Sequence, residues 1–385
     1  MKRIAITSYA LANALGSTTD EVMDHIFSGK TAFQAPRAFP MPFPTVVGEM
    51  NDLPSAPEVG IAGDTRIMKI AMLGARQISK DVERAVTTYG KKRIGFVLGG
   101  CTAGIEFSES VFPALSRGEA SVDYSCETQH THHATLVPLA DYFGVGGPSL
   151  VVSSACSSSV KAIAIARRWF DADLVDAVIV GGIDSLSRTT IRGFHSLGAL
   201  SENATRPFSS ERTGLTLGEG AGFMLLEKDA TSDVYVRGIG ESSDAHHLSA
   251  PDPKGSGILE SMRRALADAN LQTDAIDYVS AHGTGTIQND LVEGHAISEL
   301  FGEGTRVTST KSMTGHLLGA AGITSTVISL ESLRRGLIPP TVGTPPQDPA
   351  IHVVVSTQPE KVALRAIINN AIGFGGSNAA VILST

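Results

Sequence analysis

A succession of strand, small-residue turn, helix, strand and paired glycines occurs twice along the 385-residue chain. The first copy has predicted strands at 150–152 and 177–180 around a helix from residue 160, and the second has strands at 306–308 and 366–372 around a helix at 317–333. In each copy a buried strand delivers small residues to a turn that precedes the helix. The repeat predicts an α/β fold of two similar halves, which we divide as residues 1–230 and 231–385.

Composition and charge exclude several classes of protein. Hydrophobic residues make up 42% of the chain, enough for a large buried core, and a net charge of −8 without a basic run argues against nucleic-acid binding. Cys101, Cys126 and Cys156 show no CxxC spacing, so we expect neither disulfides nor a zinc ribbon, and a cytoplasmic location is the simplest. No run of 18 apolar residues occurs, so no membrane span is expected.

Cys156 stands in the turn between a predicted strand and its helix, within the small-residue segment 154–158. At a helix N-terminus, unpaired N–H groups and the helix dipole favour thiolate over thiol. Small neighbours also let a substrate carbonyl approach the backbone. The turn therefore predicts a nucleophile, and the alternative is that Cys156 is a small core residue, as most cysteines are.

Two histidines stand in turns rich in glycine and threonine. His282 begins an HGTGT segment after a strand predicted at 275–280, and His316 ends the segment 311–316. A single histidine is more often a core or surface residue. Two histidines in matching turns, together with Cys156, indicate a cysteine nucleophile with histidine partners.

Four segments resemble the signature blocks of the β-ketoacyl-acyl-carrier-protein synthases, in the same order and over nearly the whole chain. They are SACSS at 154–158, HGTGT at 282–286, KSxTGH at 311–316 and GFGGSN at 373–378. The resemblance is to the elongating, cysteine–histidine–histidine branch of these condensing enzymes. It implies the thiolase-like duplicated five-layer αβαβα fold, in agreement with the repeat.

The resemblance implies an acyltransferase that extends an acyl chain by two carbons through decarboxylative Claisen condensation with malonyl-acyl carrier protein. Cys156 would hold the acyl chain, and the backbone N–H groups of Cys156 and Phe374 would bind the oxyanion. His282 and His316 would bind the malonyl thioester carbonyl and stabilise the enolate formed on loss of CO₂. No cofactor is expected, because the departing carboxylate generates the carbanion.

Further site residues are implied by the same resemblance. Lys311 would pair with Glu293, and Thr284 and Thr286 would contact the phosphopantetheine arm. Phe374 would act as a gate between Gly373 and Gly375, and Thr102 and Phe194 would lie in the acyl pocket. Arg66 and Lys69, on a helix predicted at 66–86, would form the carrier-protein docking site. His130, His132 and His133 form a cluster without a convincing ligand set, and we expect no metal there.

Three positions depart from the family pattern. Ser209 and Thr213 replace commonly acidic residues, and Leu215 replaces a common aromatic residue. These departures favour a specialised type II fatty acid, aryl polyene or polyketide pathway, while acyl length stays open. We expect a dimer through the strand near Val151, with an identical chain or with a cysteine-less, chain-length-factor-like homologue.

Rival interpretations are disfavoured by the same residues. A degradative thiolase would carry a second, C-terminal cysteine, but no cysteine follows Cys156. The initiating branch of the family has asparagine where His316 stands. A non-catalytic chain-length-factor-like subunit would lack the nucleophile, so elongation by a catalytic subunit is favoured.

Overall fold

The computed structural model describes residues 3–118 and 124–385. Its strands are β1 (Ile4–Asn13), β2 (Val47–Gly48), β3 (Ile94–Gly99), β4 (Ser149–Val152), β5 (Ala177–Asp184), β6 (Leu217–Gly218), β7 (Gly220–Glu227), β8 (Tyr235–Ser243), β9 (Tyr278–Ser280), β10 (Arg306–Thr308), β11 (Leu337–Ile338), β12 (Val354–Val355), β13 (Glu360–Lys361), β14 (Ala366–Gly373) and β15 (Ser377–Ser384).

The helices follow in chain order. They are α1 (Thr19–Phe27), α2 (Arg66–Tyr89), α3 (Ile105–Ser116), α4 (Cys126–Gln129), α5 (His132–Tyr142), α6 (Ser158–Asp171), α7 (Arg188–Ser196), α8 (Ser256–Ala269), α9 (Ile287–Phe301), α10 (Lys311–Thr314) and α11 (Ala321–Arg335). Within the described residues, no helix combines the length and the apolar character that a membrane crossing requires.

The main strands are hydrogen-bonded in the order β12-β10-β9-β14-β15-β8-β1-β7-β5-β3-β4. At the junction of β1 with β8 only Ile4 and Ala5 pair, with Val236 and Tyr235 respectively. The order thus divides into an N-terminal sheet, β4-β3-β5-β7-β1, and a C-terminal sheet, β8-β15-β14-β9-β10-β12. The chain passes between them after β7 and before β8, close to the predicted division at residue 230, which remains a prediction.

Two helices occupy the space between the sheets. α6 contacts β3 and β5 of the N-terminal sheet and also β15, while α11 contacts β14 of the C-terminal sheet and also β7. α2 packs on β1 and β7 from the outside, and α8 packs on β8 and β15 from the opposite side. The layers therefore run helix, sheet, helix, sheet, helix, as the repeat and the resemblance imply.

A glycine allows α6 to approach the N-terminal sheet. A Cβ atom on Gly99, at the end of β3, would lie 2.6 Å from the Cα atom of Ser159. Any larger residue would push the first turn of α6 away from the strand. The nucleophile turn is thereby fixed against the end of β3.

The predicted elements of the repeat are present with shifted ends. The strand at 306–308 is β10, and the helix predicted from Arg66 extends to Tyr89 as α2. The helix predicted at 317–333 begins at Ala321, because residues 318–320 form a 3₁₀ turn. This turn contacts both β5 and α6, so it brings the segment that contains His316 towards Cys156.

Candidate active site

Cys156 lies in a strained turn between β4 and α6. The preceding residue, Ala155, has a φ of 51°, a left-handed conformation that disfavours any residue with a Cβ atom. The Ala155 carbonyl accepts hydrogen bonds from the Ser158 N–H at 3.1 Å, the Ser158 hydroxyl at 2.5 Å and the Cys101 thiol at 3.3 Å. The Ser154 N–H also donates to the Ser158 hydroxyl at 2.9 Å. Ser158 therefore secures the turn that presents the thiol.

The two histidines face Cys156 from the C-terminal half. The backbone N–H groups of His282 and Gly283 donate to the Glu293 carboxylate of α9, at 2.7 and 2.8 Å, and hold the turn after β9. The His316 N–H donates to the Thr216 carbonyl at 2.7 Å. The ring centroids of His282 and His316 lie 5.2 Å apart at 86°.

The thiol and the two imidazoles converge on one point. The Nε2 atom of His316 lies 3.0 Å from the Cys156 Sγ atom. One ring nitrogen of each histidine and the Cys156 sulfur all lie within 4.8 Å of one another, and all three residues are buried. This juxtaposition of a nucleophile with two polar rings was expected from the motifs.

Burial controls the charge of these groups. It raises the pKa of Cys156 to about 11, against the opposing effects of the Lys311 charge and the Phe374 backbone N–H. Burial, together with the Lys311 charge, holds the pKa of His282 and of His316 well below the usual histidine value. Loss of hydration thus opposes the predicted preference of Cys156 for thiolate, which the helix N-terminus favours. Burial favours a neutral thiol and neutral imidazoles in the resting site.

Lys311 and Glu293 both contact the turn that carries His282. The Lys311 Nζ atom donates to the His282 carbonyl at 2.5 Å, and its pKa is lowered to about 8 by burial. Glu293 accepts the backbone N–H groups of His282 and Gly283. The Glu293 carboxylate also favours the charged lysine electrostatically, and the predicted pairing of the two residues stays a prediction.

A cavity of about 360 Å³ leads to Cys156, His282 and His316. Thr284 and Thr286 line its wall, with their hydroxyl oxygens 3.0 Å apart. Their predicted contact with a pantetheine arm stays a prediction. Thr213 and Leu215, two of the positions that depart from the family pattern, line the same cavity.

The predicted gate lies beside the thiol. Phe374 and Phe194 both line the cavity, with ring centroids 5.5 Å apart. Gly375 has a φ of 79°, and a Cβ atom on Gly373 would lie 2.9 Å from the Ser154 carbonyl oxygen, so both positions favour glycine. The gating roles of Phe374, Gly373 and Gly375 and the acyl-pocket role of Phe194 stay predictions.

Thr102 is not among the residues that line this cavity. Its hydroxyl donates to the Asp184 carboxylate at 2.7 Å, and that carboxylate also accepts the N–H groups of Cys101 and Gly319. Asp184, which sequence reasoning missed, ties the loop after β3 to the turn before α11. Its signal was available, because Asp184 ends a buried strand whose other residues are apolar or glycine.

Arg66, one of the two predicted docking residues, is largely engaged with buried groups. Its guanidinium pairs with the buried carboxylate of Glu219 and donates to the Met50 carbonyl at 2.6 Å, leaving the side chain 18% exposed. Most of the Arg66 side chain is therefore buried against Glu219, which lies between β6 and β7. Arg66 and Lys69 both line a separate surface pocket with Phe39, and their docking role stays a prediction.

The three histidines near α4 do not converge. The Nδ1 atom of His130 lies 2.6 Å from the Ser108 hydroxyl, which also lies 2.9 Å from the Tyr124 hydroxyl. Over residues 3–118 and 124–385, Cys156, His282 and His316 form the only group of three potential metal-ligand residues. His130, His132 and His133 therefore form no common ligand set in the described structure.

Similarity to known families and proteins confirms the resemblance. The family model for the β-ketoacyl synthase N-terminal domain matches residues 61–232, and the model for the C-terminal domain matches residues 234–344. A 3-oxoacyl-[acyl-carrier-protein] synthase 2 from Coxiella burnetii is 30% identical, covering 100% of this chain and 98% of that protein. A 3-oxoacyl-[acyl-carrier-protein] synthase 2 from Staphylococcus aureus is 31% identical, covering 82% of this chain and 83% of that protein.

Solved structures agree with this assignment. A ketosynthase from Xenorhabdus doucetiae in complex with its chain length factor has a TM-score of 0.92 and 31% identity, covering 100% of this chain and 98% of that chain. The ishigamide ketosynthase/chain length factor has a TM-score of 0.91 and 26% identity, covering 100% of this chain and 99% of that chain. The thiolase-like fold is thereby confirmed, and the chain belongs to the β-ketoacyl synthase family.

Proposed function

We propose that this chain is an elongating β-ketoacyl-acyl-carrier-protein synthase. The observation that carries the proposal is the convergence of the Cys156 sulfur and one nitrogen each of His282 and His316 within 4.8 Å, at the inner end of a cavity. The relatives from Coxiella and Staphylococcus bear the name of this activity. The substrates would be an acyl chain and a malonyl group, each carried as a thioester on acyl carrier protein.

Acylation begins with a neutral thiol. Because burial raises the pKa of Cys156, the thiol must lose its proton as the C–S bond forms. The Nε2 atom of His316 lies 3.0 Å from the sulfur, where an N–H donor would favour the developing thiolate. The carrier thiolate leaves and receives the proton, so that the thioester moves to Cys156 without a net change in charge. The N–H groups of Cys156 and Phe374 would stabilise the tetrahedral oxyanion.

Condensation uses the two neutral histidines. The malonyl thioester carbonyl would accept hydrogen bonds from His282 and His316 as CO₂ departs and negative charge develops on that oxygen. The resulting enolate attacks the acyl carbonyl on Cys156, forming a carbon–carbon bond and releasing the cysteine sulfur. The sulfur recovers a proton, and the β-ketoacyl product, two carbons longer, remains on the carrier protein. These steps need no cofactor.

The two half-reactions can be separated by substitution. Cys156→Ala should abolish condensation but retain malonyl decarboxylation in part, because the two histidines remain. His316→Ala should still self-acylate, while decarboxylation falls by about 10²–10³, the cost of removing one oxyanion donor. Release of labelled CO₂ and formation of acyl-enzyme would be measured for each variant. β-Ketoacyl product from Cys156→Ala would refute the assignment.

A heterodimeric type II system is the second candidate. The two similar structures named above each pair a ketosynthase with a chain length factor. Among residues 3–118 and 124–385, β4 is hydrogen-bonded only to β3, and this leaves a sheet edge at Val151 for a partner. Thr213 and Leu215 line the cavity where the family usually carries other residue types. We therefore propose a specialised type II fatty acid, aryl polyene or polyketide pathway.

The oligomeric state distinguishes the alternatives. The chain would be expressed alone and together with synthase-like chains that lack the cysteine, and its mass in solution would be measured. Co-purification of such a chain supports the heterodimer, and a stable homodimer that condenses alone supports the homodimer. An active monomer would contradict both. The free cysteines Cys101, Cys126 and Cys156 are consistent with the cytoplasm, where we place the enzyme.

Carrier protein should meet the enzyme at the mouth of the cavity. Leu197 and Ile287 line the cavity and are 57% and 62% exposed, so they offer apolar contact beside the path of the arm. Ile287→Asp should raise the KM for carrier-bound substrates more than for small thioester mimics, because the introduced charge repels an acidic carrier. Lys69→Glu tests in the same way one of the two basic residues predicted to dock the carrier. Equal effects on both substrate types would exclude docking.

A further inference from the structure

We propose that Cys156, His282 and His316 also form a binding site for zinc-class divalent cations, through which such a cation reversibly inhibits the enzyme. Binding itself depends only on the three side chains, whereas the inhibitory consequence rests on the proposed function. The cation would be an inhibitor and would have no part in condensation.

The ligand geometry is close to that of a zinc site. Zinc bonds of about 2.3 Å to sulfur and about 2.0 Å to nitrogen, arranged tetrahedrally, place ligand atoms roughly 3.5 Å apart. The His316 Nε2 atom and the Cys156 Sγ atom are 3.0 Å apart, and all three ligand atoms lie within 4.8 Å. Small side-chain rotations suffice to reach tetrahedral spacing. The cavity that reaches these residues gives a cation access and leaves the fourth position open to water.

The chemistry of binding is a simple exchange. Neutral imidazoles have a free nitrogen lone pair, and the S–H bond of Cys156 breaks as the S–metal bond forms, releasing one proton to solvent. Nothing is oxidised or reduced. Once the sulfur and both imidazoles are bound to a cation, neither acyl transfer nor carbonyl binding can occur.

Two features make the site reversible rather than permanently occupied. The Nδ1 atom of His316 is buried without a hydrogen-bond partner, whereas a strong metal site usually anchors the second nitrogen of each histidine ligand. The charge of Lys311 also acts on both histidines and would repel a cation. Mixed sulfur and nitrogen ligands favour Zn²⁺ and Co²⁺ over Mg²⁺.

Cobalt provides a direct probe of the site. The full chain would be titrated with Co²⁺ alone, without substrates, and its absorption recorded. We expect a sulfur-to-cobalt charge-transfer band with intense visible bands of a four-coordinate ion, displaced by Zn²⁺ and unaffected by Mg²⁺. Cys156→Ala should lose the charge-transfer band. Cys126→Ser, which removes an exposed cysteine, is the matched control and should retain it.

Histidine substitution and inhibition complete the test. His282→Ala should weaken Co²⁺ binding by at least about tenfold, and micromolar free Zn²⁺ should slow both alkylation of Cys156 and condensation until a chelator is added. A band that persists in Cys156→Ala but disappears in Cys126→Ser would overturn the proposal, as would a wild-type chain without the band. A cobalt site at Cys156 in a chain that never condenses would instead refute the proposed function alone.

Discussion

The hydroxyl of Ser158 should control how well Cys156 is presented to an acyl thioester. It donates to the Ala155 carbonyl at 2.5 Å and accepts the Ser154 N–H at 2.9 Å, within a turn whose Ala155 φ of 51° is unfavourable. Ser158→Ala removes both contacts. The Ala155 carbonyl keeps the Ser158 N–H and the Cys101 thiol, but the Ser154 N–H loses its acceptor.

The magnitude follows from that unpaired N–H group. Leaving a buried donor unsatisfied costs about 1–3 kcal/mol, and Ser154 is partly buried, so the free energy of unfolding should fall by no more than that amount. If the turn relaxes to recover a partner, the sulfur moves, and about 1.4 kcal/mol lost in the acylation transition state lowers the acylation rate tenfold. Malonyl decarboxylation should change little, because His282 and His316 are held by separate turns.

Ser159→Ala is the matched control. Ser159 is also fully buried in the first turn of α6, and its hydroxyl accepts the Ile323 N–H at 2.8 Å. Both variants should lose similar stability in urea unfolding, but only Ser158→Ala should acylate slowly in single-turnover assays. Wild-type acylation by Ser158→Ala, or equal slowing in both variants, would refute the role of the Ser158 hydroxyl.

Three further outcomes follow from burial and charge. Because the pKa of Cys156 is raised to about 11, its thiolate fraction and its iodoacetamide alkylation rate should rise about tenfold per pH unit up to about pH 10, and a plateau near neutral pH would contradict this. Lys311→Met should raise the pKa of Cys156 further and slow alkylation at a fixed pH, and faster alkylation would contradict the charge effect. Arg66→Ala should lower the free energy of unfolding by about 3–5 kcal/mol, because it leaves the buried Glu219 carboxylate without its partner. Lys69→Ala should lower it by about 0.5 kcal/mol or less. Equal losses in the two variants would contradict the pairing of Arg66 with Glu219.

The architecture was predictable because the repeat consists of local sequence patterns. A buried strand such as β3 is a continuous run of apolar and small residues, and the turns that follow β9 and precede α11 carry glycine and histidine. The order of strands and helices along the chain follows from these patterns. The later start of α11 was not predictable from periodicity, because the 3₁₀ turn at 318–320 is set by packing against β5 and α6.

The site was predictable in its residues but not in its electrostatics. Cys156, His282 and His316 were identified from motifs, and the structure brings them together. The charge state of Cys156 depends on how completely both halves exclude water, which no local pattern reports. The partners of Arg66 and Lys311 are likewise set by chain segments far away in sequence, namely the carboxylate of Glu219 and the carbonyl of His282.

The central claim is that Cys156 carries the growing chain between two carrier proteins. Intact-protein mass spectrometry of the chain, after incubation with acyl-carrier proteins of several lengths and then with malonyl-carrier protein, tests it most directly. The account predicts an acyl adduct that maps to Cys156 and disappears on malonyl addition, as a β-ketoacyl product two carbons longer accumulates on the carrier. An adduct on Cys101 or Cys126 instead, or product formed without any adduct on Cys156, would contradict it.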